Sequence, residues 1–273
     1  MAAVQAELDR MSRDGIIQPS DSAWSSPLVL VPKPDGPLRL CVDYRRLNAV
    51  SNFDAYPMPR VDDILDSLAS ATFVSTIDLT KGYRQVPLAK DDRPKTAFSS
   101  PFGLFEFITM PFGLQGAGAT FQRMVDQILR GAHDFASAYM DDIGVRSYTW
   151  SDHLNHLRNV LTRLRLAGLT ARPSKCRFGT TKSPHLGHVV GGGFIHPSPT
   201  KVAAIANIQL PATKSDLRSF LGLTGYYRRF IPHYAAVTSS LTAAMKKHAP
   251  NNIDGEDVSY ERLLYGTQVS PLF

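Results

Sequence analysis

The sequence predicts a mixed α and β protein of the α+β class, and three segments carry that prediction. Residues 73–79 alternate apolar and polar side chains with the period of a strand, which puts Val74, Thr76 and Asp78 on one face. Residues 151–167 set Leu154, Leu157, Val160, Leu161 and Leu164 along one helical face, and Gly168 closes the helix. Residues 136–145 are apolar except at Asp141 and Asp142, which suits two short strands around a turn. The chain has 273 residues, 43% hydrophobic and 20% charged, so it can bury a core and is not globally disordered.

The remaining elements follow in chain order. Residues 3–14 read as a helix through Val4, Leu8 and Met11, ended by Gly15. Apolar runs at 27–31 and 38–42 flank the turn cluster Pro32-Lys33-Pro34-Asp35-Gly36-Pro37, a β-hairpin with a basic shoulder. Val61, Ile64, Leu65 and Leu68 make a short amphipathic helix after Pro57 and Pro59. Residues 101–118, rich in glycine and aromatics, read as strand and loop, and 120–130 as a helix through Phe121, Met124, Val125, Ile128 and Leu129. Gly191-Gly192-Gly193 and Pro197/Pro199 mark a boundary before a smaller helical part. There Thr213 and Asp216 form a capping box ahead of Leu217, Phe220 and Leu221.

Composition excludes several function classes. Two cysteines, Cys41 and Cys176, rule out a disulfide scaffold and a Cys-rich zinc module and point to a reducing compartment. No run of 18 apolar residues spans a membrane, and the first residues lack signal-peptide character. The net charge of +6 is unevenly spread. Residues 1–142 carry 14 Lys/Arg against 18 Asp/Glu, net −4; residues 143–250 carry 15 against 2, net +13; residues 251–273 are net −3. The basic block is a nucleic-acid footprint or a solvated surface, and charge alone leaves both open.

Tyr139-Met140-Asp141-Asp142 is the sharpest feature. Adjacent carboxylates inside an apolar run are costly to bury unless something binds them. A tight turn holds both at an exposed tip, and hard divalent cations favour such oxygen ligands. Asp78, ending the strand at 73–79, is the candidate third carboxylate. The opposing reading is a turn cap at Asp78 and a surface loop at Asp141-Asp142. The pairs His153/His156 and His185/His188 have no further ligand nearby and read as surface or structural.

Tyr139-Met140-Asp141-Asp142 together with the upstream Asp78-Leu79-Thr80-Lys81-Gly82-Tyr83-Arg84-Gln85-Val86-Pro87 resembles the catalytic core of reverse transcriptases, most closely those of Gypsy/Ty3-type LTR retrotransposons. Further segments fit in order, among them Asp43-Tyr44-Arg45-Arg46-Leu47-Asn48, Met110-Pro111-Phe112-Gly113-Leu114, Ala119-Thr120-Phe121-Gln122, Pro173-Ser174-Lys175-Cys176, Leu186-Gly187-His188 and Gly225-Tyr226-Tyr227-Arg228-Arg229-Phe230-Ile231. The likeness covers about residues 4–248.

The resemblance implies a right-hand polymerase with a ferredoxin-like antiparallel palm sheet. Fingers would be 1–52 and 88–111, palm 53–87 and 112–197, and thumb 198–250. Residues 251–273 would be a poorly packed, degenerate start of an RNase H-like region. The implied reaction adds dNTPs to a primer 3′ end on an RNA or DNA template. Asp78, Asp141 and Asp142 would hold two Mg²⁺ ions, with Mn²⁺ as a substitute. Lys33 and Arg39 would grip the triphosphate. Tyr83 would lie under the sugar and exclude a 2′-hydroxyl, and Phe112 and Gly113 would line the nucleotide pocket. Arg45, Tyr139, Met140, Leu186, Gly187, His188, Arg228 and Arg229 would contact the template–primer duplex.

The family is normally fused to protease, RNase H and integrase, so the chain is expected to be a polymerase core cut at both ends. Its implied location is a cytoplasmic retroelement particle, with the nucleus as a second site and no membrane. Some positions depart from the family pattern. Gly144 replaces a large aliphatic residue and is expected to leave a packing gap. Arg146 stands where an aromatic is usual, and Gly116 and Gly118 are expected to loosen a loop beside the nucleotide. These departures keep open a weak or inactive nucleic-acid-binding remnant. An RNA-dependent RNA polymerase is a third reading, opposed by Tyr83.

Overall fold

The computed structural model describes residues 1–33, 36–208 and 211–245, with backbone alone between 32 and 39. The chain opens with α1 (Ala2–Arg13), which buries Val4, Leu8 and Met11 as the pattern predicts. After β1 (Ile17–Pro19), the predicted hairpin forms as β2 (Ser26–Lys33) and β3 (Gly36–Val42). Helices α2 (Arg45–Val50) and α3 (Val61–Ala69) lead to β4 (Phe73–Asp78). Strands β5 (Phe98–Ser100) and β6 (Gly103–Phe107) precede α4 (Ala117–Ile128). The second predicted hairpin is β7 (Ala136–Tyr139) and β8 (Asp142–Ser147), followed by α5 (Trp150–Leu166). Four short strands come next: β9 (Arg177–Thr180), β10 (Ser183–His185), β11 (His188–Gly191) and β12 (Phe194–Pro197). The chain continues through α6 (Pro199–Ala206), α7 (Lys214–Tyr226), α8 (Tyr234–Val237) and α9 (Ser239–Ala244).

Among the described residues the strands form three sheets, ordered β1-β6-β5-β2-β3, β7-β8-β4-β9 and β10-β11-β12. The four-stranded sheet is antiparallel throughout and positions the site. One core, with Ile77, Phe121, Val125, Ile143, Val145, Val160 and Leu164, fills the space between this sheet and α4 and α5. A second core sets α3 against the opposite face through Ile64, Leu65, Leu68, Val74 and Val190. Strand β4 is therefore covered on both faces, and its polar residues need partners. Ser75 accepts from the Gly179 N–H at 2.9 Å and lies 2.7 Å from His153 Nε2. The other ring nitrogen of His153 reaches Ser147 Oγ at 2.9 Å, which lies 2.8 Å from His156 Nδ1. His153 is a structural histidine, fully buried, as one of the two sequence alternatives has it.

A third core lies under the five-stranded sheet around Val4, Leu8, Tyr44, Phe98 and Phe107. A fourth joins Leu217, Phe220, Ile231 and Leu241 in the C-terminal helices. The capping box at Thr213 and Asp216 is present, with both reciprocal bonds made.

Two sequence expectations are corrected. Gly144 leaves no gap: a Cβ there would meet Leu68 Cδ1 at 2.8 Å and Cδ2 at 2.9 Å, so Leu68 of α3 already fills the space. Gly116 and Gly118 do not sit in an open loop. Gly116 is the N-cap of α4 and Gly118 lies in its first turn. Residues 251–273, expected to pack poorly, lie outside the described residues. Among the described residues, no helix is long and apolar enough to cross a membrane.

Candidate active site

Pairing of β4 with β8 sets the site. In this register Asp78 stands directly opposite Asp142. Directly opposed Cβ atoms in an antiparallel pair lie about 4.5–5.5 Å apart, so the two carboxylates share one face. Asp141 occupies the turn between β7 and β8, and its carbonyl accepts the Leu79 N–H at 2.9 Å. The turn is tight because Tyr139 pairs with Asp142, leaving Met140 and Asp141 between them. Met140 takes φ +52°, uncommon for a residue other than glycine or a short polar one.

Two neighbours hold this turn. Gln122 of α4 is fully buried; its Oε1 accepts the Met140 N–H at 2.7 Å and its Nε2 donates to the Ala138 carbonyl at 3.0 Å. Gly82 leaves room for Asp141: a Cβ there would meet the Asp141 Cβ at 3.1 Å.

The electrostatics follow from the crowding. Burial, then the charges of Asp141 and Asp78, push the Asp142 carboxyl up to about 6, while Lys175 opposes the shift. Lys175 Nζ pairs with Asp78 Oδ2 at 3.1 Å. A cleft of about 360 Å³ opens beside these carboxylates, with Lys175 and Arg177 on one side and Leu186 and Gly187 on another. Among the described residues, no group of three or more His, Cys, Asp and Glu side chains is already closed around a cation position. The donor set still fits a hard divalent cation, since three carboxylates held in mutual repulsion gain by sharing a positive charge.

The predicted nucleotide-side residues are brought near the turn. The Tyr83 hydroxyl donates to Met140 Sδ at 3.3 Å, and its ring meets Phe112 edge-on at 5.2 Å and Phe121 at 5.5 Å. Phe112 is exposed, beside Gly113 at φ +94°. Asn48 fixes this loop by donating to the Gly113 carbonyl at 2.8 Å and accepting the Gln115 N–H at 2.9 Å. Tyr139 is half-buried at the end of β7.

The other predicted residues divide between the cleft and other parts of the chain. Arg45 is exposed and pairs with Asp43 at 2.6 Å. Lys33 and Arg39 fall on β2 and β3, but their side chains lie outside what is described. Leu186 and Gly187 form the β10–β11 turn at the cleft. His188 is buried behind it, against the rings of Tyr226, Tyr227 and Phe230. Arg228 is exposed, and Arg229 pairs with Asp66 of α3 at 2.7 Å. Sequence reasoning gave no role to Lys175, Gln122 or Asn48. Each stands inside a segment that fits the family, and that was the available signal.

Residues 31–224 match the family described as reverse transcriptase (RNA-dependent DNA polymerase). The chain belongs to the reverse transcriptase family. It is 40% identical over 263 residues to a retrovirus-related Pol polyprotein from transposon 297 of Drosophila melanogaster, covering 94% of this chain and 25% of the relative. It is 38% identical over 250 residues to the Pol polyprotein from transposon gypsy of the same organism, covering 89% and 24%. The chain thus spans about a quarter of these Gypsy/Ty3-type relatives. Its fold is similar to a foamy viral protease–reverse transcriptase solved with double-stranded DNA, at TM-score 0.87 and 27% identity, covering 98% of this chain and 47% of that one. A second foamy viral structure, solved with an RNA/DNA hybrid, gives TM-score 0.87 at 26% identity, with 98% and 37% covered. This reverse transcriptase domain therefore has the right-hand polymerase fold, and its β7-β8-β4-β9 sheet is antiparallel throughout.

Proposed function

We propose that this domain extends a primer 3′ end with dNTPs, copying an RNA or DNA template by two-metal catalysis. The observation that carries the reading is the Asp78–Asp142 pair across β4 and β8, with Asp141 in the adjoining turn. These three carboxylates are the residues to hold two Mg²⁺ ions, or Mn²⁺ in their place. The ions, when bound, lower the pKa of the primer hydroxyl and neutralise charge on the leaving pyrophosphate.

The chain's own residues supply position and charge. Lys175 and Arg177 put positive charge at the cleft where phosphates pass. Tyr83, braced by Phe112 and Phe121, forms a flat apolar wall beside Met140 that selects against a 2′-hydroxyl. Gly113, at φ +94°, gives the 112–115 loop its path beside that wall. Lys33 and Arg39 grip the triphosphate from the β2–β3 hairpin.

The hand is divided as the sequence suggests: fingers 1–52 and 88–111, palm 53–87 and 112–197, thumb 198–250. Arg45 meets the template, Tyr139 and Met140 meet the primer end, and the Leu186–Gly187 turn, backed by His188, supports the primer strand. Arg228 and Arg229 face the duplex phosphates, with Arg229 exchanging Asp66 for phosphate. Such contacts make duplex binding weaken with salt and tolerate any sequence. In its natural setting the domain works within a Pol polyprotein beside protease, RNase H and integrase, inside a retroelement particle.

Run-off primer extension on an RNA template tests the reading. Full-length product with Mg²⁺ and dNTPs supports it. Salt-sensitive duplex binding without any extension points instead to a binding remnant, and equal use of rNTPs and dNTPs to an RNA polymerase.

A further inference from the structure

The turn between β10 and β11 has an unusual backbone. Leu186 takes φ +44° and Gly187 φ +71°, so two successive residues are left-handed and one of them carries a side chain. A leucine in that region persists where surrounding contacts over-determine it. Those contacts are made by the two carbonyls of the turn. The Leu186 carbonyl accepts from Tyr226 Oη and from His188 Nδ1, both at 2.8 Å. The Gly187 carbonyl accepts from Tyr227 Oη and from the Ser198 N–H, both at 3.0 Å.

Tyr226 and Tyr227 end and cap α7, so the partners come from the thumb. The fit is close, since a Cβ on Gly187 would meet Tyr227 Oη at 3.1 Å. The His188 ring wedges beneath, with centroids 5.4 Å from Tyr226 and 5.2 Å from Tyr227. Arg229 ties the same segment to Asp66 of α3 as well.

The two hydroxyls differ in what they need. Tyr227 is 4% exposed, so its hydroxyl must find a protein partner in any case. Tyr226 is 47% exposed, and water could satisfy its hydroxyl. Its bond to the Leu186 carbonyl therefore serves the turn rather than the tyrosine. The other side of that turn lines the cleft that holds Asp78 and Asp142.

We infer that Tyr226 and Tyr227 are positioning residues, a two-hydroxyl latch through which the thumb fixes the Leu186–Gly187 turn beside the carboxylates. Thumb and turn then move as one body, and release of the latch frees the turn without touching the nucleotide pocket. The consequence for synthesis rests on the polymerase reading above; the latch itself does not.

The test uses Tyr226→Phe, Tyr227→Phe and the double variant in the full chain. Hydrogen exchange of the amides of residues 186–189 is compared with that of β4. Primer extension in the presence of excess competing duplex gives product length per binding event, alongside KM for dNTP. The latch predicts exchange at the turn faster by at least about fivefold in Tyr226→Phe, the ratio one lost hydrogen bond gives, with β4 unchanged. It also predicts shorter products with an unaltered dNTP KM. Wild-type exchange at the turn overturns it, as does an equal rise across the turn and β4, which reports general loosening. If the wild-type chain makes no product, the polymerase reading fails, and the exchange comparison still decides the latch. Tyr226→Phe keeps the test open should the double variant not fold, because its ring is half outside the core.

Discussion

Asp78 and Asp142 stand opposite each other across two hydrogen-bonded strands, the last residue of β4 against the first residue of β8. Nothing in strand formation asks for this. Like charges directly opposed destabilise a sheet. The proposed cation site gives the arrangement a use, and without a cation it has a measurable cost.

That cost sets the first prediction. The folded Asp142 carboxyl, raised to about 6, holds its proton more tightly than in the unfolded chain. The native state therefore binds more protons between about pH 4 and 6, and stability falls as pH rises through that window. Asp142→Asn removes the effect. In metal-free buffer at pH 8 it is expected to raise stability by on the order of 1 kcal/mol, after discounting for solvent screening. At pH 4 the gain should vanish. Denaturant unfolding at both pH values checks this; an Asn variant less stable than wild type at pH 8 contradicts it.

His185 gives a slope of opposite sign. It is buried, its Nε2 has no hydrogen-bond partner among the described residues, and burial followed by the His188 charge pulls it down to about 4. Its contribution is whole above the unfolded value near 6.5 and is lost as pH falls toward 4. The loss is at most about 1.4 kcal/mol per pH unit. Measured in an Asp142→Asn background, where the competing slope is absent, stability should drop across that range. His185→Phe should flatten the drop.

Gln122 is predicted to matter more than its distance from the carboxylates suggests. Gln122→Ala leaves the Met140 N–H and the Ala138 carbonyl without their partner and opens space in the core. The expected loss is about 1–3 kcal/mol of stability. Gln122→Glu keeps the acceptor for Met140 but sets a buried carboxylate against the Ala138 carbonyl and Asp126 Oδ1, which the Gln122 amide meets at 3.0 and 2.9 Å, so it should rescue neither stability nor extension rate. A glutamate variant as stable and as active as wild type would separate these amide bonds from the turn.

Gly144 and Leu68 should behave as one unit. Gly144→Ala forces a methyl against Leu68 and is expected to cost about 1–3 kcal/mol. Leu68→Ala alone opens a cavity, at about 2–5 kcal/mol. Their combination should cost clearly less than the two singles added, by the coupling expected of residues in contact. Additive costs in a double-mutant cycle would show that the two side chains do not share the space.

Much of the site was legible because its information is local. The apolar run around Asp141 and Asp142 announces a hairpin, the leucine stripe of α5 announces its helix, and Thr213 with Asp216 announces a cap. What escaped depends on contacts distant in sequence. Strands β9 to β12 are three or four residues long and set among Gly179, Gly187 and Gly191-Gly192-Gly193, so no periodicity develops. The gap expected at Gly144 was filled by Leu68, 76 positions away, and no pattern at either residue reveals the other. The burial of His153 depended on Ser75 and Ser147, which only the pairing of β4 with β8 brings together. The role of Gln122 appears once α4 is seen to lie against the turn.

The central claim is that Asp78, Asp141 and Asp142 carry a metal-dependent nucleotide addition. Its most direct test is single-turnover incorporation of one dNTP on an RNA-templated primer with Mg²⁺, wild type against Asp141→Asn. Duplex affinity is measured in parallel. Wild type should incorporate, and the variant should fall by about a thousandfold or more, the scale of about 4 kcal/mol of lost charge stabilisation, with little change in affinity. Equal incorporation by the two chains, or none by wild type despite tight duplex binding, would contradict it.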